Sequence, residues 1–252
     1  MDILRKKGQS AEMWDKRALS YPRYSSSPDT FEAEIIKMTE EAGVILTRAS
    51  LLDVGCGSGK FTIGLAKKAG RVHGIDISGE MLRILMEDAE KEGVRNITCE
   101  KTGWEGFDCD IRYDLVFCST TPAVRTPEDY LRVHDIARKA VIYLGWAGRK
   151  DSDITLEVCA AHGRKTKSFN DTPDLKKWLD EKKIPYKNFV KENDFERDYH
   201  RDEIAKMCLD AVADDENRSA QTIDQILDKY SLPDGRIRDR LYFRRELIIW
   251  EK

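Results

Sequence analysis

At 252 residues the chain is long enough to bury one substantial core, with material left over for a subdomain or lid. Its apolar fraction of 40% suits a soluble globular protein, and 43 basic against 46 acidic residues leave a formal charge of -3. The basic excess that draws a protein non-specifically to nucleic acid is therefore missing, and basic stretches such as Arg236-Ile237-Arg238-Asp239-Arg240 are interrupted by acids. No apolar run approaches the roughly 20 residues that span a bilayer. The opening Met1-Asp2-Ile3-Leu4-Arg5-Lys6-Lys7 lacks the apolar stretch of a secretory signal. The six cysteines, Cys56, Cys99, Cys109, Cys118, Cys159 and Cys208, form no Cys-x-x-Cys pair and no Cys/His cluster with zinc spacing, so no metal site is expected. A cytoplasmic, reduced protein with neither nucleic-acid nor membrane partner is the expectation, with homo-oligomer formation left open.

Two helices, over 10–20 and 29–43, are predicted ahead of the first strand. The second has Phe31, Ile35, Ile36 and Met38 near helical spacing, and between the two lies the loop Tyr21-Pro22-Arg23-Tyr24-Ser25-Ser26-Ser27. An alternation follows: strand 50–54, helix 60–69, strand 71–75, helix 79–92, strands 97–101 and 114–118, helix 127–137 and strand 140–146. Strands alternating with helices imply parallel strands joined by right-handed crossovers, hence an α/β, Rossmann-like doubly wound sheet. Beyond Trp146 the pattern changes to helices over 152–162, 174–182, 201–213 and 217–230, with strands at 186–199 and 241–250, the last expected to run antiparallel. The economical reading is a single domain over 1–252. It has N-terminal helices or lid (1–49), a ligand-binding core (50–146), a helical substrate-side decoration (147–240) and a final strand (241–252).

The first strand runs into Asp53-Val54-Gly55-Cys56-Gly57-Ser58-Gly59 and then a helix. Glycines belong where backbone must turn tightly and lie against a ligand with no side chain between, and the helix N-terminus that follows offers unpaired N–H groups. A phosphate-binding P-loop is rejected, because its first glycine would fall on Val54 and Phe61 follows Lys60. A dinucleotide fingerprint would need glycine where Lys60 stands, which weakens a nicotinamide reading.

Leu52-Asp53-Val54-Gly55-Cys56-Gly57-Ser58-Gly59 closely resembles the first motif of the class I S-adenosylmethionine-dependent methyltransferases, of small-molecule type. The next strand, Val72-His73-Gly74-Ile75, ends in Asp76, and Ser78-Gly79-Glu80-Met81 opens a helix as that family's second motif does. The resemblance covers residues 10–146 and extends to the rest in outline. It implies S-adenosyl-L-methionine as cofactor, with Asp53, Gly55, Cys56, Gly57, Ser58 and Gly59 around the methionine part. Asp76 would hold the ribose hydroxyls, with Ile77 and Met81 flanking the adenine. Lys101-Thr102-Gly103-Trp104-Glu105 shows no acid at the place where the family commonly contacts the adenine amino group, so backbone around Gly103 and stacking by Trp104 are the expected substitutes. Ser119 to Thr121 would border the transferred methyl. In Trp14-Asp15-x-Arg17-Ala18-x-x-Tyr21, Tyr21 or Arg17 would cover the cofactor's carboxylate end, unless this helix only packs Trp14 and Ala18 on the sheet.

Methyl transfer from a sulfonium is an in-line displacement in which positioning and water exclusion supply much of the acceleration, so no catalytic residue need show in the sequence. None of His73, His134, His162 and His200 is singled out as a base. Thr121-Pro122-Ala123 departs from the Asn/Asp/Ser-Pro-Pro-aromatic run of amino-directed nucleic-acid enzymes, and Ala123 stands where a base C5 enzyme carries cysteine. Asp108, Asp110 and Asp114 read as a polar loop. Lid material is expected from Trp178, Tyr186, Phe189, Phe195, Tyr199, Tyr21 and Tyr24. The expected activity is methyl transfer to a small-molecule acceptor. The alternatives are a protein side-chain methyltransferase, a non-catalytic S-adenosylmethionine-binding protein and a nicotinamide oxidoreductase.

Overall fold

A computed structural model describes residues 10–108, 110–166, 170–213 and 219–252; the opening Met1–Lys7 run, Cys109 and the first two residues of the helix predicted from 217 lie outside them. Seven strands form one sheet in the order β3-β2-β1-β4-β5-β7-β6. They are β1 (Ser50–Val54), β2 (Arg71–Asp76), β3 (Ile97–Lys101), β4 (Tyr113–Ser119), β5 (Ala137–Ser152), β6 (Tyr186–Tyr199) and β7 (Ile237–Glu251). The first five pair in parallel, with Val54 opposite both Ile75 and Cys118. Ion pairs of Arg238 with Asp198, Arg240 with Asp194 and Arg244 with Glu192 step in opposite senses along β7 and β6, the register of an antiparallel pair. The predicted doubly wound, mostly parallel sheet is thus the observed one.

The chain divides into two compact units, one of residues 1–145, 173–189 and 247–252 and the other of 146–172 and 190–246. In the first, side-chain alternation sorts the core onto the two faces of the sheet. Leu51, Leu115, Phe117, Ile142, Leu144, Leu247 and Ile249 pack with α2 (Phe31–Glu41), α3 (Thr62–Ala66) and α4 (Gly79–Lys91). Their neighbours Leu52, Val116, Cys118, Val141, Tyr143, Ile248 and Trp250 pack with α5 (Pro127–Ile136) and α7 (Thr172–Lys182). A period of two carries one strand's residues to opposite faces, and a parallel strand covered on both faces is buried throughout, as all five residues of β1 are, with Ser50 and Asp53 the polar exceptions to an apolar run. The second unit packs α6 (Asp153–Ala161), α8 (Arg201–Ala211) and α9 (Ala220–Asp228) around Ile154, Val158, Cys208, Ile226 and Ile237.

Two expectations change. The predicted decoration over 147–240 is not continuous, because residues 173–189 belong with the first unit. Within them Leu175, Trp178 and Leu179 are buried, Tyr186 packs against the same cluster and Phe189 against the opposite one. These aromatics are core and not lid material; hydrophobicity alone does not tell the two apart. Likewise α3 is shorter than the predicted 60–69, running from Thr62 to Ala66, and Lys60 ahead of it pairs with Glu32 of α2 at 2.5 Å.

Helix starts follow their caps: Ser78 accepts from the Met81 N–H, and Thr126 and Asp129 form a reciprocal capping box with Pro127 in the first turn. Asp129 is buried and also accepts from the Trp104 indole at 3.1 Å and from the Arg125 and Thr126 N–H groups. Asp129→Ala would orphan those donors together with the cap. We expect a loss of about 2–4 kcal/mol in urea unfolding, with Thr126→Ala, which removes the cap alone, costing about 1 kcal/mol.

Candidate cofactor-binding site

Sheet order reverses between β1 and β4, the switch point at which open α/β sheets bind ligands beyond their carboxyl ends. There, wholly within the first unit, lies a cavity of about 360 Å³, walled by the loop after β1, the ends of β2 and β4, the segment after β3, and Trp14 and Tyr21 from the N-terminal segment.

The loop is folded back over β2. The Gly55 and Cys56 N–H groups both donate to the Ile75 carbonyl, at 2.8 and 3.0 Å, and the Gly57 N–H donates to Asp76 Oδ2 at 2.9 Å. Glycine is required for different reasons at two positions. Gly55 has φ +72°, and a Cβ there would fall 2.3 Å from the Thr121 hydroxyl. Gly57 has φ +52°, and a Cβ there would meet no atom within 4 Å, so its missing side chain leaves open a cradle facing the cavity.

Asp76 ends β2, and its other oxygen accepts the Ser78 N–H at 2.9 Å. Burial raises its carboxyl above the ordinary range, opposed by those two N–H bonds and reinforced by the nearby Asp15 charge. Each Asp76 oxygen accepts one backbone bond, which leaves lone pairs for a ligand's hydroxyls. Asp15, on α1 (Ala11–Ala18), takes the Ser78 hydroxyl at 2.6 Å and the Glu80 N–H at 3.1 Å, so it holds α1 against the start of α4 and its own carboxyl is lowered. The same segment is tied down by Ser58 Oγ donating to the Pro22 carbonyl and by a bidentate Arg23–Asp88 pair.

Of the predicted site residues, Gly55, Gly57, Asp76, Ile77, Met81, Gly103, Trp104, Ser119 and Tyr21 line the cavity together. Asp53, Cys56, Ser58, Gly59 and Arg17 do not line it. Asp53 is 2% exposed beneath the loop and accepts the Thr62 hydroxyl at 2.7 Å. Cys56 turns its sulfur toward Gly74, and Gly59 makes room for Leu85. Arg17 lies over the Trp14 ring, 5.1 Å from its centroid, and it is Trp14 and Tyr21 that reach the cavity. Trp104 is a wall and a packing residue at once: its indole is bonded to Asp129 and the Arg132 guanidinium lies 4.2 Å from its centroid.

Sequence reasoning missed Val54, Ile75, Thr102, Glu105, Pro122 and Ala123 as lining residues. Glu105 is the one whose signal was legible: an acid was sought after β3 and stands a little further on than the motif spacing requires. Thr120, at the end of β4, has φ +45°, a strained value for a β-branched residue, and its N–H continues the pairing with β5 by donating to the Leu144 carbonyl.

None of the four histidines lines the cavity. His73 bonds Thr98, His134 receives the Trp250 indole and His162 receives the Ser219 N–H. Among the described residues no cluster of acids, histidines and cysteines has metal-holding geometry. Asp114 is engaged by the Ser50 N–H and hydroxyl and by Lys139, which lower its carboxyl to about 2. No helix among the described residues is long and apolar enough to cross a membrane.

Residues 51–141 match the family model of a methyltransferase domain, and the fold is the Rossmann-like one of the solved methyltransferase structures that it superposes on. Among solved structures, the YcgJ protein of Bacillus subtilis superposes with a TM-score of 0.55 at 17% identity, over 86% of this chain and 97% of that one. Magnesium protoporphyrin IX methyltransferase of Synechocystis, solved with S-adenosylhomocysteine bound, gives 0.54 at 14% identity, over 100% and 92%. Among curated sequences, a Haemophilus influenzae protein without assigned activity is 25% identical over 48% of this chain, and a Geobacillus protein with a provisional methyltransferase description is 42% identical over 28%. These alignments span about half of the first relative, 51%, and 29% of the second.

Burial pushes the Asp53 carboxyl up to about 7, with the Thr62 bond opposing and the Asp76 charge adding to the rise. The folded chain thus holds this proton more tightly than the unfolded chain, whose carboxyl titrates near 3.8. Stability from this group is greatest below that value and falls as pH rises toward 7. Asp53→Asn, which keeps an acceptor for Thr62, should therefore flatten the decline in unfolding free energy, read from urea melts between pH 4.5 and 7, by an amount on the order of 2–4 kcal/mol.

Proposed function

We propose that this chain is an S-adenosyl-L-methionine-dependent methyltransferase acting on a small-molecule acceptor. The observation that carries the reading is the juxtaposition of Asp76, with spare acceptor capacity on both oxygens, and the open Gly57 cradle in one cavity at the switch point. Asp76 would accept the two ribose hydroxyls, while Ile75, Ile77 and Met81 would supply apolar contacts to the adenine and Gly103 a bare stretch of backbone beside it. Gly57, with Gly55 beside it, lets the chain approach the methionine portion without a side chain between.

The bound cofactor supplies a methyl group on a sulfonium, a leaving group that needs no further activation. The chain contributes placement and dryness. Ser119, Thr120, Thr121, Pro122 and Ala123 close the β4 side of the cavity, and Trp14 and Tyr21 shield it from the N-terminal side. Among the described residues neither lysine nor arginine lines the cavity, and the titratable groups that do are Asp76, Glu105 and Tyr21. Such a wall favours a neutral or cationic acceptor, since an anionic one would be desolvated without a counter-charge. The near-zero net charge and the Thr121-Pro122-Ala123 run support a small acceptor over a polynucleotide. Positioning alone accounts for large accelerations when reacting atoms are held in line, which agrees with a cavity that offers no histidine.

Calorimetric titration with S-adenosylmethionine, S-adenosylhomocysteine and NAD tests the donor. Heat with both adenosyl compounds and none with NAD is expected; silence with the adenosyl compounds would overturn the reading. Asp76→Ala should weaken S-adenosylhomocysteine binding by about 1–3 kcal/mol, and an unchanged affinity would place the ribose elsewhere. Methylated products recovered from a metabolite mixture incubated with the enzyme and labelled donor would identify the acceptor.

A further inference from the structure

We propose that Cys56 and Cys99 form a reversible disulfide that switches the glycine loop from a ligand-binding to a weakly binding state. The consequence for affinity rests on the donor-site reading above; the pairing does not.

Cys56 stands between Gly55 and Gly57, and its N–H is bonded to the Ile75 carbonyl of β2. Cys99 lies on β3, directly opposite Gly74 of β2. A Cβ at position 74 would come within 2.9 Å of the Cys56 sulfur and 3.8 Å of the Cys99 sulfur. The bare glycine of the intervening strand is what lets the two thiols meet across it. They are hydrogen-bonded, Cys56 donating to Cys99, which lowers the Cys99 thiol and raises that of Cys56; burial adds to the rise. The accessible member is Cys99, half-buried and 3.7 Å from the sulfur of exposed Met86, while Cys56 is buried. The pair is thus asymmetric: a half-buried Cys99, whose thiol gives up its proton more readily, and a buried Cys56 that can resolve it.

With hydrogen peroxide as oxidant, the Cys99 thiolate attacks one peroxide oxygen, the O–O bond breaks, and hydroxide leaves and is protonated to water. Cys56 then attacks the Cys99 sulfenic sulfur, the S–S bond forms, and the S–OH oxygen departs with the thiol proton as a second water. Two thiols supply the two electrons that peroxide accepts. An S–S bond of about 2.05 Å requires the sulfurs to close in from hydrogen-bonding distance. Cys99 is fixed in the β2–β3 ladder, so the movement falls on Cys56 and on the flanking Gly55 and Gly57, whose N–H groups are bonded to Ile75 and Asp76. The cradle would then be displaced from the position that fits a ligand.

The test is peroxide treatment of the purified chain, thiol blocking and peptide mapping without reduction, alongside calorimetry with S-adenosylhomocysteine. A Cys56–Cys99 linked peptide is expected, with affinity reduced at least tenfold and restored by dithiothreitol. Cys99→Ser should bind as the untreated chain does, both before and after peroxide. Absence of the linked peptide overturns the pairing. A linked chain of unchanged affinity, or a Cys99→Ser variant that loses affinity equally on oxidation, overturns the switch. An untreated chain that does not bind S-adenosylhomocysteine sinks the donor-site reading and the switch with it, while the mapping still decides whether the thiols pair.

Discussion

The backbone of the glycine loop is committed to β2 before any ligand arrives. Two consecutive N–H groups, of Gly55 and Cys56, converge on one carbonyl of Ile75, and the Gly57 N–H is taken by the side chain that ends the same strand. That fold-back sets the other close approaches. It brings Gly55 against Thr121 of the β4 end and Gly59 against Leu85 of α4, at distances a β-carbon would not tolerate. The loop is therefore gripped by β2, β4 and α4 together. At Gly57 no atom stands within 4 Å of where a side chain would begin, and this open side of the loop borders the cavity.

The grip has an electrostatic cost. Asp53 and Asp76 end or nearly end adjacent strands; burial raises the proton affinity of both, the Asp76 charge adds to the rise at Asp53, and the Asp15 charge adds to that at Asp76. Backbone N–H groups offset part of this at Asp76, whereas Asp53 has the Thr62 hydroxyl. A ligand bearing hydroxyls and positive charge would offset this repulsion, and on the proposed reading that relief contributes to the donor's affinity.

Much of this was legible in the sequence because it is local. Strand alternation, the glycine spacing and the acid at the end of the second strand are patterns within a few residues, and the element order came out close to the observed one. The failures share a different character. Asp15 bonding Ser78, Arg23 bonding Asp88 and Thr121 abutting Gly55 each join residues more than 60 apart in sequence, and no local period encodes such pairs. Trp178 and Tyr186 were misassigned to a cover because an aromatic residue looks the same in a sequence whether it fills a core or closes a pocket. Arg17 shows the same ambiguity for charge: its guanidinium has an aromatic face to lie on, and the residue that reaches the cavity is the tryptophan beneath it.

The N-terminal segment is attached in another manner than the loop. Its apolar anchor is small, Ala18 with Met81 and Ile84 and Trp14 against them. Its polar anchors are long-range side-chain bonds, each with one buried partner at Asp88, Ser78 and Ser58: Arg23 to Asp88, Asp15 to Ser78, and Ser58 to the Pro22 carbonyl. Removing one partner of such a bond leaves a buried polar group unsatisfied, which costs more than losing an exposed ion pair. The floor of the cavity at Gly57 and Asp76 is therefore held by backbone bonds within the sheet, whereas the wall at Trp14 and Tyr21 depends on a few side chains that reach α4 and the glycine loop.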